Sequence, residues 1–263
     1  MKLPKLKYGT KLNFSDKFFN FFATLSGIGI FVIEFFKQVF RPPYEIEETK
    51  RHMLDFGIKS LPIVGTMGII IGFVLSLEGY AVLQPFGGTE FLPGSVGLSI
   101  VREFAPILTA LLFAGRVAAG IGAELGSMRV TEQIDAMDVS GVEPFRYLVI
   151  TRVIAATMIL PLLTVYVIVI SIFGGYVAVY LEDGMSFTYF VNTMLPYVHI
   201  TDLIAGLSKT FLFGFAVGIV GSYKGYATEG GTVGVGKSTT SSVVISSLLI
   251  LFIDMIMVKI SLL

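Results

Sequence analysis

The sequence predicts an all-α integral membrane protein with about five transmembrane helices, an N-terminal interfacial helix and a short helix on the cytoplasmic side. Of its 263 residues, 54% are hydrophobic and only 14% are charged, whereas a soluble protein carries about 25% charged residues. Several apolar runs exceed the ~20 residues that cross a bilayer as a helix. The predicted spans are residues 61–83, 96–125, 145–181, 202–223 and 243–263. Residues 1–60 are therefore expected to form a cytoplasmic N-terminal region, and residues 61–263 a five-span domain.

Composition also excludes several functional classes. The 19 basic residues balance the 19 acidic ones, so the chain has no positive excess for binding nucleic acid. The absence of cysteine excludes disulfides and thiolate chemistry. The two histidines, His52 and His199, lie far apart in the sequence and form no histidine cluster. We expect neither a bound metal nor a cofactor.

The first apolar segment, residues 17–40, predicts an interfacial helix, with a sixth span as the alternative. A signal peptide is excluded because the apolar run is too long and no small-residue cleavage site follows. A helix with one polar stripe prefers to lie in the plane of the interface. The stripe recurs about every 3.5 residues and consists of Asn20, Thr24, Gly27, Glu34 and Gln38. Arg41-Pro42-Pro43 ends the segment, and residues 45–60 predict a charged amphipathic connector.

The distribution of Lys and Arg predicts the orientation of the spans. The region before the first span holds ten of these residues, whereas segments 84–95 and 182–201 hold none. Residues 116–152 hold four, and Lys224 and Lys237 flank the next inner loop. Because cytoplasmic loops are enriched in Lys and Arg, the N-terminus is predicted to be cytoplasmic. After five spans, the C-terminus then lies outside.

The second and third predicted spans are longer than a bilayer requires, so we expect them to tilt or to project into the cytoplasm. Pro106 and Pro161 lie inside them and predict kinks. Small residues crowd the second span at positions 114–115, 118–120 and 122–123. Such residues allow backbones to approach closely, which predicts helix packing rather than contact with lipid.

Between the second and third spans, Val130, Ile134 and Met137 recur at helical spacing and predict a short amphipathic helix on the cytoplasmic side. Gly141 and Pro144 are expected to stop it. Its other faces carry Arg129, Glu132, Asp135 and Asp138. Mixed faces of this kind suit docking into the groove of a partner. The alternative is a solvated loop helix that lies on its own protein.

Residues 231–238, Gly-Thr-Val-Gly-Val-Gly-Lys-Ser, satisfy the P-loop pattern G-x-x-x-x-G-K-[ST]. The pattern is meaningful only between a buried strand and a helix of an α/β domain. Predicted membrane spans flank it here, which leaves no room for a parallel sheet. We therefore interpret the segment as a Gly-rich inner loop that leads into the last span, not as an ATP site.

Five of the ionisable residues inside the predicted spans lie in one layer of the outer half of the membrane. At 1.5 Å per residue they lie about 8–14 Å below the outer surface. An unpaired charge at depth costs roughly 2.5 kcal/mol or more, so such residues are expected to face an interior or a cavity and to pair. They are Glu78, Arg102, Glu103, Lys209 and Asp254. Lys209 and Asp254 are the predicted intramembrane pair, interpreted chiefly as a packing contact.

Several blocks of the sequence resemble the MlaE/YrbE permeases, the membrane subunits of lipid-handling ABC transporters associated with MCE proteins. The resemblance runs from about residue 46 to the C-terminus, and the block at 128–133 is its most specific part. The matching residues are Arg102-Glu103-Phe104-Ala105-Pro106, Ala114-Gly115-Arg116, Ala123-Glu124, Met128-Arg129-Val130-Thr131-Glu132-Gln133, Ala136-Met137, Pro144, Arg146, Arg152, Gly234-Val235-Gly236, Thr239-Thr240, Val243-Val244 and Asp254.

This resemblance implies a permease subunit rather than an enzyme. It would move phospholipid, or a related lipid, between the bacterial inner membrane and a periplasmic MCE lipid-binding protein, a process tied to outer-membrane lipid asymmetry. The implied assembly is a homodimer with a separate cytoplasmic ATPase and a small STAS-type accessory protein, the C-terminus being periplasmic. The short cytoplasmic helix would be the coupling helix that seats in the ATPase. Its expected coupling residues are Glu124, Met128, Arg129, Thr131, Glu132, Gln133, Asp135 and Asp138.

Under that function, the outer halves of the spans predict a lipid cavity at the dimer interface. The cavity would open toward the outer side and be lined by spans one, two and five. Arg102 is placed to hold a lipid phosphate while apolar neighbours line the acyl chains. The expected lipid-binding residues are Phe73, Val74, Leu77, Glu78, Tyr80, Arg102 and Glu103.

Two other functional classes compete with this one. A self-contained secondary transporter or channel for a small amphiphile usually shows internal repeats with interrupted helices, and the five spans show no convincing repeat. A membrane enzyme would need His, Asp or Glu residues that converge at one membrane face, whereas the acidic residues here are scattered and His199 is solitary. The odd number of spans also favours a half-transporter that dimerises.

Overall fold

The structure, a computed structural model, describes residues 14–42 and 44–261, with side chains from residue 22 onward. These residues are almost entirely helical and include no strand. The α-helices are α1 Phe14–Gln38, α2 Ile46–Leu83, α3 Leu92–Ser99, α4 Ala105–Phe113, α5 Ala119–Val130, α6 Gln133–Val139, α7 Thr151–Asp183, α8 Phe187–Met194, α9 Ile200–Tyr226 and α10 Gly231–Ser261. Three π-helical segments continue the chain between or before them: Ile100–Phe104, Ala114–Ala118 and Phe145–Ile150.

Five helical stretches within the described residues are long and apolar enough to cross a membrane, which confirms the predicted all-α membrane architecture. They are Ile46–Phe86, Thr89–Val130, Phe145–Asp183, Ile200–Tyr226 and Gly231–Ser261. Residues 87–88 and 184–199 connect them at one end of the bundle, which we name the predicted outer end. Residues 131–144 and 227–230 connect them at the opposite end, the predicted cytoplasmic end.

The first and last spans begin earlier than predicted. α2 passes residue 60 without interruption, so the predicted connector and the first span form one helix. α10 begins at Gly231, which means that the predicted Gly-rich inner loop is wrong: the segment 231–238 is the start of a helix. The hydroxyl of Ser238 donates to the carbonyl of Lys224 at 2.6 Å, and Gly122 of α5 lies against Ser242. Small residues thus let this first part of α10 pack closely on α5 and α9.

The predicted cytoplasmic helix also begins at a different residue. Val130 ends α5 rather than starting the short helix, because the chain turns at Thr131 and Glu132. Glu132 has a φ of 58°, in the left-handed region, so a helix cannot continue through it. The short helix α6 therefore covers only Gln133–Val139, and the side chain of its residue Ile134 is buried. Gly141, with a φ of 80°, follows its end, as predicted.

Glycine contacts explain how closely α2 and α7 approach each other. A Cβ added at Gly72 would overlap the backbone carbonyl of Ser171, and one added at Gly174 would overlap the backbone of Ile69. In the second span only part of the small-residue prediction holds. Ala114, Ala118 and Gly122 are buried, whereas Gly115 and Gly120 are exposed with nothing within 4 Å of an added Cβ.

α1 lies against the predicted cytoplasmic half of the bundle through one aromatic face. The ring of Phe31 is fully buried and contacts the rings of Phe145 and Tyr223. The opposite face exposes apolar side chains, including Ile33 and Phe36. Within the predicted polar stripe, the amide of Gln38 donates to the carboxylate of Glu34 at 2.6 Å. Whether this helix lies in the interface or spans the membrane stays a prediction, as does the division of the chain at residue 60.

Candidate functional site

The first π-helical segment, Ile100–Phe104, places two adjacent charged side chains against the same face of α9. The Arg102 Nε lies 2.7 Å from the Asp202 Oδ1, and the Lys209 Nζ lies 2.7 Å from the Glu103 Oε2. Asp202 and Lys209 are two helical turns apart and therefore share one face of α9. Adjacent residues of an α-helix point about 100° apart, and the widened π turn alters that spacing. Single π turns of this kind occur frequently at functional sites.

Lys209 ties a third helix into the same arrangement. Its Nζ lies 3.2 Å from the Asp254 Oδ1 of α10 and donates to the Arg102 carbonyl at 3.3 Å. The Lys209 side chain is only 2% exposed, so these groups replace its water. We name Arg102, Glu103, Asp202, Lys209 and Asp254 the outer ionic cluster. It contains two cations and three carboxylates and links the second span to α9 and α10.

The sequence pattern marks Asp202 only as the first residue of a predicted span, and the structure adds it to the cluster. Its Oδ2 also accepts a hydrogen bond from the His199 backbone N–H at 3.0 Å. A carboxylate three residues after the N-cap residue is one half of a capping box, and that spacing is the sequence signal that identifies Asp202 as a capping residue. Arg102 keeps a more open position, with 42% of its side chain exposed. Its two Nη groups make no hydrogen bond to any described residue.

The other predicted lipid-binding residues lie apart from this cluster. Glu78 is exposed and makes no ion pair within the described part of the chain; it lines a groove of about 380 Å³ between α2 and α3, together with Ser95 and Ser99. Tyr80 packs against the central hydrophobic core. Val74 is exposed, whereas Phe73 and Leu77 are half-buried. The structure therefore brings together only Arg102 and Glu103 of the predicted set.

The predicted coupling residues at the other end divide into two groups. Glu124 pairs with the buried Arg152 at 2.7 Å, and Met128 packs against the core, so both serve the fold of this chain. Arg129 pairs with Asp135 at 2.6 Å, and both side chains keep substantial exposure. We name the exposed region the α5–α6 corner: Arg129, Thr131, Glu132, Gln133, Asp135 and Asp138.

An arginine lies in each of the three π-helical segments, and each links its segment to another part of the fold. Arg102 reaches Asp202 of α9, as described above. The Arg116 Nη1 donates to the Ser60 hydroxyl at 2.8 Å and to the Phe56 carbonyl at 3.1 Å. The Arg146 Nη1 donates to the Pro42 carbonyl at 2.9 Å. Pro106 is the second residue of α4, which begins directly after the first π segment, whereas α7 stays helical through Pro161.

Comparison with known proteins identifies the family. The sequence profile of the family "Permease MlaE" matches residues 49–260. The chain belongs to the MlaE permease family. It is 40% identical over 229 residues to a probable ABC transporter permease protein of Rickettsia bellii, covering 87% of this chain and 88% of that protein. It is 37% identical over 206 residues to a probable ABC transporter permease of Synechocystis, covering 78% of each.

A more distant relative carries a more specific name. The chain is 32% identical over 251 residues to the intermembrane phospholipid transport system permease protein MlaE of Haemophilus influenzae, covering 90% of this chain and 96% of that protein. The family resemblance of the sequence is thus confirmed. The relatives are ABC transporter permeases, and the chain is a multi-pass membrane protein of a transport family rather than of an enzyme family.

Proposed function

We propose that this chain is the permease subunit of an ABC transporter that moves phospholipid between the inner membrane and a periplasmic MCE protein, driven by a separate ATPase. The observation that carries the proposal is the alignment with the Haemophilus phospholipid transport permease over 96% of that protein's length. The proposed orientation places the N-terminus in the cytoplasm and the C-terminus in the periplasm, as the Lys and Arg distribution predicts.

The proposed assembly is a homodimer in which α10 and α2 face the second copy. Only 11% of the most apolar stretch of α10 is buried, against 56% for α9. The exposed face of α10 carries large apolar side chains, among them Leu248, Phe252 and Met255. Burying such a face against a second copy gives α10 the helix contacts that this chain alone does not supply.

The proposed lipid site is a cavity between the two copies, open toward the outer side and lined by spans one, two and five. The unoccupied Nη groups of Arg102 support a phosphate contact there, since guanidinium groups bind phosphate in a bidentate manner. Phe73, Val74 and Leu77 keep apolar surface exposed for the acyl chains. Glu78, Tyr80 and Glu103 complete the proposed lining.

The α5–α6 corner is the proposed contact with the ATPase subunit. It is solvent-exposed at the predicted cytoplasmic end, and its side chains are held by few contacts within the chain. Glu124 and Met128 would support the corner from behind rather than contact the ATPase. A periplasmic MCE lipid-binding protein and a small cytoplasmic STAS-type protein complete the proposed complex.

Photocrosslinking tests the lipid site. A crosslinking amino acid is placed at Leu77, at Tyr80 or at Leu162, and the full chain is irradiated after gentle detergent purification that removes loosely bound lipid. Leu162 on α7 is 60% exposed and serves as the control for a lipid-facing position outside the cavity. We expect phospholipid adducts at Leu77 and Tyr80 and few at Leu162.

Equal labelling at all three positions would show that the outer cavity holds no specific lipid.

The same purification tests the transporter class. A permease subunit brings a nucleotide-binding protein with it from native membranes, whereas a secondary transporter or channel comes alone. Lipid transport by the purified chain in the absence of any ATPase subunit would contradict the proposed function.

A further inference from the structure

A second cavity lies at the predicted cytoplasmic end, on the opposite side of the membrane from the proposed lipid cavity. Its volume is about 380 Å³, and it lies where the end of α1, the start of α2 and the start of α7 meet. Its walls are mainly apolar, with Ile46, Met53, Ile150 and Ile154 among the lining side chains. No residue assigned above to transport or to ATPase coupling lines it.

Cationic groups predominate among the charged residues of this cavity. Arg41, Lys50 and Arg146 line it, opposed by a single carboxylate, that of Glu45. Arg41 is exposed and makes no ion pair within the described part of the chain. Lys50 is 63% exposed, and its ion pair with Glu47 is long, at 3.6 Å. Both cations are therefore available to an anionic ligand.

Buried polar atoms in the wall also lack partners. The Arg146 Nε and the Gln38 Oε1 are buried and make no hydrogen bond within the described residues. The Arg146 Nη groups are already engaged, with the Pro42 carbonyl and with Glu143 at 2.8 Å. A buried donor or acceptor without a partner is energetically unfavourable. Both atoms are inaccessible from the cavity, so the groups open to a ligand are those of Arg41, Lys50 and the apolar side chains.

The surroundings of the cavity indicate a lipid ligand. Large apolar side chains next in sequence to lining residues are exposed: Phe40, between Val39 and Arg41, at 75%, and Leu54, after Met53, at 63%. The depth agrees with this: Val153 contacts Gly218, eight residues before α9 ends at Tyr226. At 1.5 Å per residue, the apolar floor near Ile154 therefore lies about 12 Å inside the predicted cytoplasmic end.

We propose that this cavity binds an anionic phospholipid of the leaflet at the predicted cytoplasmic end. Arg41 and Lys50 bind the headgroup phosphate beside Arg146, and the first part of an acyl chain lies against Met53, Ile150 and Ile154. Basic pockets between transmembrane helices on the cytoplasmic side recognise such headgroups. A free phosphate ion would leave the apolar floor uncovered. The site depends on membrane embedding and on the predicted orientation, not on the proposed transport function.

Native mass spectrometry of the purified full chain tests this site. The protein is transferred into detergent micelles that contain equal amounts of phosphatidylglycerol and phosphatidylcholine, and the retained lipids are quantified. We expect the parent chain to retain phosphatidylglycerol preferentially. The double variant Arg41→Gln/Lys50→Gln should weaken phosphatidylglycerol binding about 30-fold, since it removes two membrane-surface cations. Both side chains are exposed, so the fold does not depend on them.

Arg51→Gln is the matched control. Arg51 follows Lys50, and its side chain is 79% exposed and lies 3.7 Å from Glu48, but it does not line the cavity. This variant should retain phosphatidylglycerol as the parent does. Equal loss in the control, or no loss in the double variant, would overturn the site. Displacement of the lipid by millimolar inorganic phosphate would also overturn it, because a free anion would then be the ligand. Lipid crosslinking at Leu77 is expected to be unchanged in every variant.

Discussion

The outer ionic cluster and the α5–α6 corner carry similar numbers of charges but use them in opposite ways. In the cluster, Lys209 is 2% exposed and Asp202 is 5% exposed, and each pairs with a residue of another helix. At the corner, the Arg129–Asp135 pair is 38% and 61% exposed. Glu132 and Asp138 make no ion pair with any described residue. The buried charges of the cluster pair with residues of other helices, whereas the exposed charges of the corner stay available to a partner.

This contrast separates two roles that look alike in the sequence. A charge placed in the membrane interior must be neutralised by its own protein, because the surrounding lipid offers no hydrogen bonds. Removing one member of such a pair leaves the other uncompensated. An exposed ion pair in water contributes only about 0–1 kcal/mol to stability. The cluster should therefore control folding, and the corner should control association.

The largest effect is expected for Lys209→Met. It removes the cation shared by Glu103 and Asp254 and leaves one cation against three carboxylates in the cluster. Breaking a buried ion pair from one side costs about 3–5 kcal/mol. Thermal unfolding of the purified chain in detergent should show a correspondingly lower midpoint temperature. The exposed Lys237→Met is the control and should unfold like the parent.

Neutralising the stranded carboxylates sharpens this test. The triple variant Lys209→Met/Glu103→Gln/Asp254→Asn should recover part of the lost stability, because it also neutralises the two carboxylates that Lys209 pairs with in the parent chain. An unfolding midpoint for Lys209→Met equal to that of the parent would show that the cluster does not stabilise the fold.

The sequence predicted some features of both regions and not others, for physical reasons. Long apolar runs identify the spans because the bilayer demands length and hydrophobicity. The depth of Lys209 and Asp254 likewise points to a pair. The helical start of α10 was missed because Gly and Ser indicate a loop in water, although in a bundle they allow close packing. The π turns depend on i→i+5 hydrogen bonds that leave no residue pattern, and Glu132 is not a residue type that favours a left-handed turn.

A smaller effect, on association rather than folding, is expected for Glu132→Lys/Asp138→Lys. Both side chains are exposed at the corner, so the unfolding temperature should not change. If the corner is the contact with the proposed ATPase, reversing two charges there should weaken ATPase binding by about 2 kcal/mol or more. Copurification of the ATPase from native membranes, with its activity, measures the loss. The matched control is Glu182→Lys/Asp183→Lys, two exposed acidic residues at the predicted outer end. If the control releases the ATPase equally, or the corner variant retains it, the corner is not the contact.

The smallest effect is expected at the turn between α5 and α6, where a single residue joins folding and association. Glu132 adopts a left-handed conformation with a φ of 58°, which costs an L-residue with a Cβ about 1–2 kcal/mol relative to glycine. Glycine avoids this cost, but its greater freedom in the unfolded chain destabilises the folded state by about 0.5–1 kcal/mol. Glu132→Gly should therefore be more stable than Glu132→Ala by up to about 1.5 kcal/mol, measured as a difference in unfolding midpoint. Both variants lose the same carboxylate, so both should weaken ATPase association to the same extent. A stability difference with equal association would assign the strain to the backbone and the docking to the charge. If Glu132→Gly alone lost the ATPase, the shape of the turn rather than its charge would be what the partner recognises.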